Sequence, residues 1–152
     1  MRKPVQVLVY PVQVTDGDLH YLLLHRIASR GDFWQGVTGS VEEEEGIVDA
    51  AVREMIEETG LTPVTIERVN YAYAFPVEER WRHLYAESVS EITEYVFVAT
   101  VDGVQTPQLD GREHDQWQWC NCESAIALLK WPGNIDALKI CDQFLRNRSS
   151  LI

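Results

Sequence analysis

Short apolar runs rich in β-branched and aromatic residues mark Val5–Tyr10 and Tyr21–Leu24 as strands. The turn-forming Asp16-Gly17-Asp18 lies between them and predicts a hairpin with a longer loop. Phe33–Val41 leads toward a helix, and Val64–Ala74 and Thr93–Val101 read as two further strands. After a loop over Gln105–Arg112, Trp117 and Trp119 fall on one side of a short strand and are expected in the core. Helices are predicted over Ser124–Leu129 and Asn134–Leu145, separated by the breaker Trp131-Pro132-Gly133. Strands interleaved with helices in this order imply an α/β fold with a mixed sheet, and residues 1–152 suit a single domain.

The clearest helix is Ile47–Thr59, Pro-free and closed by Gly60, a residue suited to the left-handed stop. Helical periodicity assigns Ile47, Val48, Ala51, Val52 and Met55 to an apolar face and Arg53, Glu54, Glu57 and Glu58 to a charged one. Glu54, Glu57 and Glu58 stand at i, i+3 and i+4, where three carboxylates converge and Arg53 can pair with Glu57. Residues 42–58 hold eight carboxylates and one arginine. Like charges so crowded oppose folding unless a cation or open solvent relieves them. Oxygen-only donors suit Mg²⁺, which completes its shell with water and substrate phosphates, and Mn²⁺ also fits.

Net charge narrows the partners. A formal −11 gives no basic track for nucleic acid and no attraction to an anionic membrane. An anionic phosphate substrate would then be bridged by metal. No apolar run approaches a spanning helix and the N-terminus is unlike a signal peptide, so the expected compartment is cytoplasmic. Cys120, Cys122 and Cys141 form neither a paired framework nor a zinc-type spacing, and are expected as reduced thiols.

The spacing Gly39, five residues, Glu45, seven residues, Arg53-Glu54, apolar, any, Glu57-Glu58, any, Gly60, apolar is similar to a complete Nudix box. The resemblance implies the Nudix fold, an α/β/α sandwich, and metal-dependent hydrolysis of a phosphoric anhydride. It further implies Glu54, Glu57 and Glu58 as metal ligands, with the carbonyl of Thr38 a further one. Gly39 would allow close approach of the loop to the phosphates. Arg53 would orient Glu57 or a loop group, and Glu45 would be structural. A glutamate outside the box often binds metal or takes the proton in this family; here Glu113, before the Trp117 strand, is the candidate and Glu54 its rival.

Phe33-Trp34-Gln35-Gly36-Val37-Thr38-Gly39-Ser40, the Glu113-His114 loop and Asn134-Ile135 resemble the dihydroneopterin triphosphate pyrophosphatase group, which includes proteins labelled dATP pyrophosphohydrolases. That implies a pterin or purine nucleoside triphosphate cut to a monophosphate and pyrophosphate, in folate-precursor synthesis. The chain departs from the group at Glu44, where a glycine is usual, and at Glu87-Ser88 and Ile92. Arg26 and Lys3, with Arg2 behind them, are candidates for the triphosphate, and Trp34 or Tyr85 for stacking on the heterocycle. His83 reads as a structural histidine. Dinucleoside polyphosphates and ADP-ribose remain rival substrates, and a non-catalytic nucleotide sensor is the reading outside enzymes. A small phosphorylated metabolite is the expected partner, bound by a monomer or homodimer.

Overall fold

In the computed structural model, residues 1–148 are described. Seven strands form one mixed sheet: β1 (Val5–Thr15), β2 (Asp18–Arg26), β3 (Trp34–Gln35), β4 (Val37–Ser40), β5 (Thr65–Pro76), β6 (Glu91–Thr100) and β7 (His114–Cys120). Three α-helices flank it: α1 (Ile47–Thr59), α2 (Cys122–Leu128) and α3 (Pro132–Arg148). The main path runs β3-β2-β1-β6-β5, with β4 also on β1 and β7 also on β2. The pair β1–β6 is parallel and the others are antiparallel.

Side-chain alternation along β1 builds both halves of the core. Leu8, Tyr10 and Val12 pack with Ala125, Leu138 and Cys141 of α2 and α3, whereas Val7 and Val9 pack with Ala50, Ala51 and Met55 of α1. The sheet is therefore covered on both faces, the α/β/α sandwich expected from the sequence.

β1 runs beyond the expected Tyr10, through Pro11, to Thr15. Gln6–Val9 pair with β4 and Val12–Thr15 with β2, so the proline, which has no N–H to donate, falls where β1 changes partner. The longer strands also shorten the loop expected after β1. Asp16 and Gly17, at φ 52° and 75°, make a tight two-residue hairpin turn between Thr15 and Asp18.

α2 begins two residues before the expected Ser124, because the Asn121 side chain accepts from the Ser124 N–H at 2.8 Å and caps it. Pro132 opens α3, where a missing N–H costs nothing, rather than lying outside it. Two burial expectations are corrected on α1 and β7. Val48 is exposed and Glu58 is buried at 3%. Trp117 is 39% exposed, while Trp119 packs on the α1 side and donates its N–H to the Gln105 carbonyl at 3.0 Å.

Candidate active site

The loop from β4 into α1 is clamped by Arg53. Its Nε and Nη2 donate to the two Glu45 oxygens at 2.8 and 2.9 Å, and Nη2 also donates to the Ser40 carbonyl at 3.0 Å. The Glu42 N–H donates to Glu45 at 3.1 Å and completes the loop. The Arg53 guanidinium holds the Glu45 carboxyl below the usual range, and Glu45 in turn raises Arg53. Glu45 is thus structural, as expected.

The same arginine reaches the acidic face, with Nη1 at 2.7 Å from Glu54 and 3.4 Å from Glu57. Glu54 fits only because residue 39 is glycine. A Cβ on Gly39 would meet Glu54 Cδ at 2.0 Å and Cγ at 2.4 Å. What the missing Cβ of Gly39 admits here is the Glu54 side chain, where the sequence suggested an approach to phosphates.

Glu57 remains largely exposed, but Glu58 turns inward. Burial raises the Glu54 carboxyl above its usual range, and burial together with the neighbouring Glu54 raises Glu58 further. Glu58 Oε1 lies 3.6 Å from Nε2 of the buried His114, and Glu58 Oε2 has no partner. Burial pushes His114 down to about 4, with Arg26 acting in the same direction, so the imidazole is neutral at pH 7. A register shift between His25 and Arg26 sets Arg26 opposite His114. Burial lowers the Arg26 guanidinium, while Glu113 and Glu58 oppose that shift.

Donor atoms of Glu58, Glu113 and His114 lie within 4.8 Å of one another. The crowded carboxylates and the orphaned Glu58 oxygen fit a divalent cation. Two cavities meet here. An acidic recess of about 380 Å³ contains Glu57, Glu58 and Arg112, and it shares Arg30, Glu54 and Glu113 with a larger cleft of about 1190 Å³.

Of the expected substrate contacts, Arg26, Lys3, Gly39 and Tyr85 line the larger cleft, as do Thr38 and Arg2. The Thr38 hydroxyl accepts from Gln35 Nε2 at 3.2 Å. Trp34 is not brought to the cleft. It packs against His25 at 5.2 Å between ring centroids and against the α3-side core, whereas its neighbour Phe33 lines the cleft beside Trp131. Alternation along the strand decides which of two adjacent aromatics faces inward, and the sequence did not locate the pleat. His83 is exposed and lies outside the cleft. Arg30, 3.5 Å from Glu113, was missed, since an isolated loop arginine carries no sequence signal.

No helix among the described residues is long and apolar enough to cross a membrane. The three cysteines are free thiols.

The NUDIX domain pattern matches residues 2–144. Dihydroneopterin triphosphate diphosphatase of Escherichia coli K12 is 32% identical over 150 residues, covering 96% of this chain and 95% of that protein. A structure from Listeria monocytogenes described as a NUDIX hydrolase superposes with a TM-score of 0.83 at 32% identity, covering 96% of this chain and 97% of its own. The Escherichia coli dihydroneopterin triphosphate pyrophosphohydrolase structure gives 0.74 at 32% identity, with coverage of 96% and 97%. Together with the complete box and its folded geometry, these likenesses establish that the chain belongs to the Nudix family and is a pyrophosphohydrolase.

Proposed function

We propose that this enzyme uses Mg²⁺, with Mn²⁺ as a substitute, to hydrolyse dihydroneopterin triphosphate or a purine deoxynucleoside triphosphate to the monophosphate and pyrophosphate. The observation that carries the reading is the junction of the acidic recess with a cleft large enough for a heterocycle and sugar-like chain. The 32% identity to the Escherichia coli diphosphatase supports the substrate class.

Glu54, Glu57 and Glu58, with Glu113 and the Thr38 carbonyl, would hold the cation. When bound, it supplies electrophilic stabilisation of charge on the phosphate oxygens. Arg26, Arg30 and Lys3 would neutralise and orient the triphosphate from the cleft side. Arg53 would position Glu54 and Glu57 while fixing the loop that follows Gly39 and β4. Water attacks phosphorus, the bond to the departing pyrophosphate breaks, and Glu113 takes the proton of the attacking water.

The test is turnover with Mg²⁺ across dihydroneopterin triphosphate, dATP, dGTP, diadenosine polyphosphates and ADP-ribose, with products separated, for the wild type and Glu57→Gln. We expect monophosphate plus pyrophosphate from a triphosphate, with kcat lowered on the order of a hundredfold in the variant. Turnover of dinucleotides or ADP-ribose alone would discard the substrate class, and undiminished turnover by Glu57→Gln would remove Glu57 from the site.

A further inference from the structure

One polar cluster in the cleft is not used by the chemistry above. Glu94 is 2% exposed, yet its carboxylate borders the cleft. Strand pairing sets Gln6 of β1 and Tyr73 of β5 on either side of it. A register irregularity between Arg68 and Ala72 brings Tyr73 opposite Glu94, where an unbroken register would offer Ile92. Gln6 Nε2 donates to Glu94 Oε2 at 2.7 Å, and the Tyr73 hydroxyl donates to Oε1.

Asn134 closes the row from the first turn of α3. Its Nδ2 donates to the Tyr73 hydroxyl at 2.8 Å, and its carbonyl accepts from Tyr10 at 2.8 Å. Gly133 lets α3 sit on the Tyr73 ring, since a Cβ there would lie 2.7 Å from Cε2. Asn134 is 7% exposed, and its Oδ1 has no partner.

One donor each of Gln6, Tyr73 and Asn134 is turned into the row, and the acceptors left for a ligand are the unpartnered Asn134 Oδ1 and the remaining carboxylate lone pairs. A buried acceptor left unmatched costs free energy, so the row selects a ligand with adjacent N–H donors. Adenine sets a ring acceptor beside its amino group, which would face these lone pairs. A 2-amino-4-oxo-pyrimidine ring, shared by pterins and guanine, sets N–H beside NH₂.

We propose that Glu94 and Asn134 form the specificity subsite of the cleft, taking the N–H and NH₂ edge of a 2-amino-4-oxo-pyrimidine heterocycle and disfavouring adenine. The proposal rests on the substrate class proposed above and narrows it to pterin and guanine substrates.

The experiment has two arms. Calorimetric binding of neopterin, guanosine and adenosine, without phosphate or metal, reads the subsite alone. Ratios of kcat/KM for dGTP and dihydroneopterin triphosphate over dATP read it during turnover. Both arms are run on the wild type, Glu94→Gln and Asn134→Ala, with folding checked by circular dichroism. We expect neopterin and guanosine to bind at least about tenfold more tightly than adenosine, the discrimination a matched polar edge gives. That ratio should fall toward one in Glu94→Gln and fall less in Asn134→Ala, which also serves if Glu94→Gln does not fold.

Equal binding of guanosine and adenosine, binding of neither, or a ratio unmoved in the folded variants would overturn the subsite. A retained binding preference with no triphosphate turnover would support the subsite and refute the proposed reaction instead. Triphosphate turnover without base discrimination would do the reverse.

Discussion

Gly39→Ala tests whether β4 and the acidic helix are built against each other. The added Cβ would lie 2.0 Å from Glu54 Cδ and 2.4 Å from Glu54 Cγ and Oε1, against the ~3.5–4 Å of an ordinary carbon contact. No backbone adjustment of a few tenths of an ångström removes such an overlap, so Glu54 must swing away and surrender its 2.7 Å bond from Arg53. Overpacking of this kind costs about 1–3 kcal/mol. At about 2–4 °C per kcal/mol for a domain of this size, the midpoint should fall by roughly 2–12 °C. The decisive comparison is a double-mutant cycle with Glu54→Ala, which deletes all three colliding atoms. In that background Gly39→Ala should cost less than about 0.5 kcal/mol, an effect typical of a site without a clash. Urea denaturation of the four proteins measures the coupling, with a nucleotide-turnover assay alongside. If the two substitutions add within about 0.5 kcal/mol, the contact does not explain the glycine and the reasoning fails.

Two further outcomes follow from the same structure. Burial raises the Glu94 carboxyl from its ordinary 4.5 to about 7, so between those values the folded chain holds a proton that the unfolded chain has released. Stability should therefore fall as pH rises through that window and level off above it. At about 1.4 kcal/mol per pH unit, the stability gap between wild type and Glu94→Gln should shift by roughly 3 kcal/mol between pH 4.5 and 8; a constant gap refutes the burial argument. Glu44 stands at φ 66°, so Glu44→Gly should relieve about 1 kcal/mol of backbone strain, offset in part by unfolded-chain entropy. Its denaturation midpoint should match or exceed that of the wild type, and a clear drop would show that the Glu44 side chain stabilises the loop.

The box was legible because its parts lie close in sequence. Gly39, Glu45, Arg53 and Glu54 meet within one consecutive strand, loop and helix, so their spacing fixes their encounter. Even there the division of α1 into an apolar and a charged face was too coarse. Glu58 lies only about 60° around the helix from Met55, and the sheet covers it with the apolar stripe. The departure at Glu44 was visible in sequence, but its reason, a left-handed backbone, is conformational. The Gln6, Tyr73, Glu94 and Asn134 row was not legible at all. It depends on β1 pairing in parallel with β6 and on an irregularity in β5, both set by tertiary packing across most of the chain. Lines of four distant polar residues have no periodic signature.

The two groups of buried acids solve the cost of burial by opposite means, and this difference divides the labour of the cleft. Glu54 and Glu58 are raised by burial while they also repel each other, and Glu58 keeps an unpartnered oxygen. Neutral donors cannot remove that repulsion; positive charge can, and Arg53, Arg26 and a divalent cation are the means within reach. Glu94 stands beside no second acid in its own hydrogen-bonded row. Burial raises it, whereas Tyr73 and Gln6 draw it back down by donating to both oxygens. Its unmet capacity is for neutral N–H groups, which a heterocycle offers and a phosphate does not. In the proposed reading a phosphate chain would meet the acidic recess through the cation, and a base would meet the row through its donors. An elongated substrate carrying both groups would then take one orientation in the cleft.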